Sequence, residues 1–201
     1  MNKTAIIVLA AGESKRMKSI KQILKIESHT LLDRVLEKAH QINAKHTYCV
    51  LGANAEIIQK EVKTKVQFIL NRNYTLGLSE SIKSAFTYFE KNALYFDSVL
   101  ILLGDQPAIE IDYLNNMIRK QEEHPTKIIA SNYKGNHGVP ASFPKNYFNG
   151  LQLLQGDSGA KELMKAHKDE LFTMQLSADL VDIDTPEDYQ LYLQKIRAEH
   201  V

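Results

Sequence analysis

Cysteine is nearly missing: Cys49 is the single one in 201 residues. It can form no intramolecular disulfide, and no Cys/His cluster has the spacing of a zinc site. Such a chain reads as reduced, so a cytoplasmic protein is expected. An excess of charge of one sign is missing too. Lys and Arg total 25 against 24 Asp and Glu, a net +1. That leaves no electrostatic footprint for duplex nucleic acid or an anionic membrane. Long apolar runs are also absent. The longest, Ala5 to Ala11, falls far short of the roughly 20 residues that span a bilayer. Lys3 precedes it, as in a signal peptide, but Gly12-Glu13-Ser14-Lys15-Arg16 follows at once. A buried first strand explains the run better.

What remains is ordinary globular composition, 44% apolar and 24% charged, over a length that suits one domain, residues 1–201. No internal repeat or linker divides it. Apolar runs at Thr4–Leu9, Thr47–Leu51, Val66–Leu70 and Ser98–Leu103 read as strands. Ser98–Leu103 is the most hydrophobic and is expected at the centre. Helical periodicity falls between them, at Thr30–Asn43, from Asn54 as a cap to Lys63, at Ser79–Lys91 and at Ile111–Glu123. Short strands apolar on both faces and separated by helices mean parallel pairing. The fold class is therefore α/β, a doubly wound, mostly parallel central sheet with helices on both faces. After Pro125 the rhythm changes. Lys127–Ser131 and Val139–Phe143 predict a small antiparallel addition in the C-terminal third. A helix from Ser158, capped by Asp157 or Ser158, follows it. Strands near Leu171–Leu176 and Leu180–Ile183 come next, then a last helix opened by Thr185-Pro186.

Four segments could carry chemistry. The first, Leu9-Ala10-Ala11-Gly12-Glu13-Ser14-Lys15-Arg16, continues to Lys18 and Lys21 and directly follows the first strand. Ligands of open α/β sheets sit beyond the carboxyl ends of strands. Small residues let a ligand approach the backbone, free N–H groups can wrap an anion, and the cations suit a polyphosphate. No Walker A loop or G-x-G-x-x-G fingerprint is present, which disfavours a nicotinamide enzyme. The second segment is Gly104-Asp105-Gln106-Pro107, where an aspartate ends an apolar strand. Mg²⁺ takes one or two carboxylates plus substrate phosphates, so Asp105 is its candidate ligand. A turn aspartate is the plain alternative. The third is Asp182-Ile183-Asp184-Thr185-Pro186-Glu187-Asp188. Helix capping accounts for most of it, with Asp182 or Asp184 as a weaker metal candidate. The fourth is the polar loop from Asn71 to Ser81, including Gly77, suited to a base, sugar or phosphate. No histidine or serine stands out as a base or nucleophile. Gly156-Asp157-Ser158-Gly159 has no preceding strand and reads as a helix start.

Taken in order, these motifs resemble the molybdenum cofactor cytidylyltransferases of the nucleotidyltransferase superfamily, whose fold is nucleotide-diphospho-sugar transferase-like. The chain has Leu9-Ala10-Ala11-Gly12, Ser14, Arg16-Met17 and Lys21 of the family's opening motif. It also has Gly104–Pro107, Gly138-Val139-Pro140, Gly156–Ala160 and Asp182–Asp188. It departs with Lys18 for glycine, Lys25 for proline and Val139 for histidine. The resemblance implies that CMP passes from CTP to the terminal phosphate of molybdopterin, releasing pyrophosphate. It places the nucleotide on Leu9–Ser14, Arg16, Lys21, Asn71, Gly77, Ser81 and Gly104. Arg16 and Lys21 would neutralise phosphates, and Asp105 and Asp184 would hold Mg²⁺. A recipient molybdoenzyme is the further partner implied. The same residues leave open a nucleotidyltransferase using GTP or a sugar phosphate, and a non-catalytic accessory protein that only binds the cofactor.

Overall fold

The computed structural model describes residues 3–42, 46–133, 135–176 and 182–199. Their main sheet has seven strands. β1 is Thr4–Ala10, β4 His46–Leu51, β5 Gln67–Leu70 and β6 Ser98–Leu103. β7 is Ile128–Tyr133, β8 Asn136–Pro144 and β9 Leu171–Gln175. A separate two-residue pair, β2 (Lys25–Ile26) and β3 (His29–Thr30), was not foreseen. Its strands are too short to leave a periodic signal. The main order is β5-β4-β1-β6-β8-β7-β9, so Ser98–Leu103 is the fourth of the seven, as expected. β1, β4, β5 and β6 are mutually parallel. β8 is antiparallel to both β6 and β7, while β9 is parallel to β7. The antiparallel addition is thus one reversed strand inside the same sheet.

Alternate residues of β1 serve opposite faces. Ala5, Ile7 and Leu9 join one core, with Ile82, Ala85, Phe86 and Phe89 of α3 (Leu78–Lys91). Ile6, Val8 and Ala10 join the other, with Leu32, Val35, Leu36 and Ala39 of α1 (Leu31–Gln41). Leu114, Met117 and Ile118 of α4 (Ile111–Glu123) complete that second face. Each Val, Leu, Ile, Phe or Met side chain among them, taken fully from water, contributes roughly 1.5–3 kcal/mol. β6 alternates in the same way, Val99 and Ile101 against Leu100 and Leu102. Burial on both faces explains why these strands read as continuous apolar runs.

The expected caps were partly wrong. Thr30 caps α1 in a full capping box with Asp33. Asn54 does precede α2 (Ala55–Glu61), but it adopts φ 56° and its side chain makes no cap bond. The helix near Ser158 begins two residues later, as α6 (Ala160–Ala166). Neither Asp157 nor Ser158 caps it; Gly159, at φ 54°, occupies that position. Short α5 (Phe148–Leu153) was also unforeseen. The last helix, α7 (Pro186–Glu199), starts where Thr185-Pro186 placed it. Asp188 N donates to Thr185 Oγ1, and Thr185 N donates to the Asp188 carboxylate. Of the strand expected at Leu180–Ile183, the first two residues lie outside the described residues, and Asp182 and Ile183 are not in a strand. No described helix is long and apolar enough to cross a membrane.

Candidate active site

The chain runs outward from β1 to β4 and β5, then returns to place β6 on the other side of β1. That reversal opens a crevice at the carboxyl ends of β1 and β6, the topological switch point of an open α/β sheet. The first-loop and Gly104–Pro107 segments leave the sheet there. Gly104 N donates to Leu9 O at 2.9 Å, drawing the two together. A Cβ on Gly104 would stand 2.9 Å from the Ala10 Cβ, so only glycine allows this approach.

A cavity of about 340 Å³ fills the crevice. Of the residues singled out from sequence, Leu9, Ala10, Ala11, Gly12, Lys21 and Asp105 line it. Gly77, Ser81, Gly104 and Asp184 line it as well. Gly12 has open space where its Cβ would be. Gly77 adopts φ 110°, with the Gly156 carbonyl carbon 2.4 Å from where a Cβ would sit. That contact brings the 156–160 segment to the site and excludes other residues there.

Other expected residues do not line it. Asn71 is 1% exposed, and its Nδ2 donates to Ser81 Oγ while its Oδ1 accepts from Asn73 N. Glu13 pairs with Lys15 at 2.7 Å. Ser14 Oγ donates to Gln22 Oε1 and accepts from Lys21 N. Sequence reading missed Gln22, and it named the loop that carries Tyr74 without singling that residue out. Gln22 is 2% exposed, and its Nε2 donates to both Ala10 O and Gly12 O, clamping the loop shut on itself. A lone glutamine after Lys21 gives no periodic or motif signal of that role. Tyr74 lines the cavity from the opposite loop. Lys18, standing where the resembling family has glycine, adopts φ 57°. It takes the left-handed backbone that glycine would take freely.

The charges meet at Lys21. Its Nζ donates to Asp105 Oδ2 at 2.5 Å and Asp184 Oδ1 at 3.0 Å. Arg16 reaches the other Asp184 oxygen at 2.7 Å from an exposed position. Burial pulls Lys21 down, but Asp105 and Asp184 outweigh it and hold the ammonium above its ordinary pKa. Burial raises Asp105 above the usual carboxylate range; Lys21 opposes this, while Asp182 and Asp184 add to it. Asp105 Oδ1 is buried with no hydrogen-bond partner among the described residues. No group of three or more His, Cys, Asp or Glu suited to a metal is found among those residues. Mg²⁺ does not need one, because substrate phosphates and water complete its shell. The unpaired, buried Asp105 oxygen beside Asp184 fits such an ion.

Comparison with known proteins agrees with this geometry. The MobA-like NTP transferase domain matches residues 6–171. The chain is 26% identical over 200 residues to the purine catabolism protein PucB of Bacillus subtilis, covering 92% of this chain and 93% of that one. It is 28% identical over 166 residues to the bifunctional protein GlmU of Pseudomonas putida, covering 82% of this chain. It spans only 33% of that longer relative. The crystal structure of the Mycobacterium tuberculosis rv0371c homolog from Mycobacterium sp. strain JC1 superposes with a TM-score of 0.82 at 27% identity, over 97% of each chain. The chain therefore belongs to the MobA-like NTP transferase family, and its chemistry is nucleotidyl transfer from a nucleoside triphosphate with release of pyrophosphate.

Proposed function

We propose that the chain transfers a nucleoside monophosphate to the phosphate of a small acceptor. The observation that carries this reading is the Lys21–Asp105–Asp184 cluster facing a glycine- and alanine-lined cavity at the switch point. The Ala10–Gly12 backbone receives base and ribose, with Tyr74 across from it. Lys21 leaves one carboxylate to meet the triphosphate, and Arg16 meets it from the rim. Asp105 and Asp184 would hold Mg²⁺, which when bound neutralises charge on the triphosphate.

An acceptor phosphate oxygen then attacks the α-phosphorus in line. The new O–P bond forms as the bond to the β-phosphate oxygen breaks, and pyrophosphate leaves with the electron pair. A phosphate dianion has no proton to lose, so no general base is needed. Positioning and charge neutralisation supply the catalysis.

For the acceptor, a sugar phosphate stands ahead of molybdopterin, and the donor is not restricted to CTP. Val139, where the cytidylyltransferases have histidine, lies in the wall of the neighbouring cavity. The CTP and molybdopterin reading, with a recipient molybdoenzyme, remains the second. A pyrophosphate-release panel tests both: CTP, GTP, ATP and UTP, each with molybdopterin and with hexose 1-phosphates, with and without Mg²⁺. Release that needs both Mg²⁺ and a phosphorylated acceptor is expected. No release in any pairing would sink the proposal.

A further inference from the structure

A second, larger cavity of about 610 Å³ adjoins the first, and Leu103 and Asp182 line both. Two features of its wall have no role so far. One is Gln106, only 2% exposed. Its Nε2 donates to Asp182 Oδ1 at 2.7 Å and Tyr133 Oη at 3.3 Å. The Asp182 contact fixes the amide's orientation, since a flipped amide would set oxygen against carboxylate. Gln106 Oε1 is then buried with no partner among the described residues. A buried acceptor left unmade costs about 1–3 kcal/mol, so it points to a donor supplied from elsewhere. Tyr133 cannot supply it, because its hydroxyl donates to Val139 O. Burial also holds that phenol well above its usual pKa, so it stays neutral.

The other feature is a row of cations. Lys161 and Lys165 lie one turn apart on α6, Lys168 lies just beyond it, and all three line the cavity. None has a carboxylate within ion-pair distance among the described residues. Four residues of helix rise about 6 Å between Lys161 and Lys165, and Lys168 follows past the helix end, so the row presents more positive charge than one phosphate balances. Three ammonium groups with no carboxylate partner among the described residues give this wall a local positive charge that favours an anionic ligand.

We propose that this cavity binds an acceptor with two anionic groups, held along Lys161, Lys165 and Lys168, and with a hydroxyl or N–H that donates to Gln106. One group is the attacking phosphate; the other is a second phosphate, a carboxylate or a thiolate. The inference rests on the nucleotidyl-transfer reading for the role of the ligand but not for its binding. The test is equilibrium binding to the whole protein without nucleotide, using hexose, hexose 1-phosphate, hexose 1,6-bisphosphate and molybdopterin. The wild type is compared with the Lys161→Gln, Lys165→Gln, Lys168→Gln triple variant, whose changes are exposed and should leave the melting temperature unchanged. The bisphosphate or molybdopterin should bind at least tenfold more tightly than the monophosphate, and the triple variant should lose that margin. CTP affinity should be the same in both proteins. The proposal is overturned if the variant binds the dianionic probes as well as the wild type does, or if neither binds the wild type at millimolar concentration. Absence of pyrophosphate release would remove the catalytic reading and leave these binding results intact.

Discussion

Asp105 is a carboxylate under two opposed demands. Burial disfavours its charge, Lys21 restores part of that loss, and one oxygen is left with no partner. Because its folded pKa is raised, its ionised form is a burden on the fold at neutral pH rather than a support. Asp105→Asn keeps the shape and an acceptor for Lys21. It should therefore leave the melting temperature within a few degrees while cutting pyrophosphate release by roughly 100-fold or more. Unchanged turnover would remove Asp105 from the metal site. The same raised pKa means that Asp105 takes up its proton before an ordinary aspartate as pH falls. Turnover should then drop on the acid side while the fold persists, as a pH–rate profile beside a pH–melting series would reveal. Asp105 could be picked out in sequence because it ends an apolar strand at the sheet edge that the first loop also faces, although a turn aspartate fits the same four residues. Gln22 could not, because its importance comes from two carbonyls, Ala10 and Gly12, that only the folded loop brings to it.

Among the elements, α1 shows how a helix start can hold more than itself. Asp33 is fully buried, completing the capping box with Thr30 and accepting from Lys63 N, Thr64 N and Thr64 Oγ1. Burial raises its pKa, but these hydrogen bonds outweigh it and hold the carboxyl below its ordinary value. A lowered folded pKa gives stability that is full above the unfolded value and is lost as pH falls through the folded one. Asp33→Asn should cost about 1–3 kcal/mol at neutral pH. It should also flatten the loss of stability below about pH 4. Urea unfolding of both proteins across pH 3–7 checks this; equal acid sensitivity would argue against it. The box itself, Thr30 followed three residues later by Asp33, was open to a sequence reader. The link to Lys63 and Thr64 was not, since those residues lie thirty positions away and meet Asp33 only once α2 has packed. The helix near Ser158 failed differently. Its sequence offers two good capping side chains, but the Gly156 carbonyl is held by Ser79 N at 3.1 Å, and the helix starts at Ala160 with Gly159 in the cap position.

Over the whole molecule, the C-terminal segment is part of the site rather than an appendage. Ile183 packs with Met17, Ile26 and Leu31, and Tyr189, Tyr192, Leu193 and Ile196 of α7 pack against that cluster. Ile183 N also donates to Asp105 O at 3.0 Å. A chain ending at Leu176 should expose this cluster and lose Asp182 and Asp184 together. A fall in melting temperature on the order of 10 °C is expected, with loss of nucleotide binding in the same calorimetric titration. A truncated chain that melts and binds like the full one would contradict that account. The sequence by itself determined the alternation of buried strands and helices, the central place of Ser98–Leu103 and the two polar loops at strand ends. Those follow from local hydrophobic patterning, which each segment carries alone. Tertiary structure decided which charges meet. Lys21, Asp105 and Asp184 are separated by 84 and 163 positions from Lys21 outward. The net +1 conceals one cation balanced between two carboxylates and a separate lysine row around an adjoining cavity. Composition averages over positions, whereas electrostatic interaction falls with distance, and only the folded chain sets those distances.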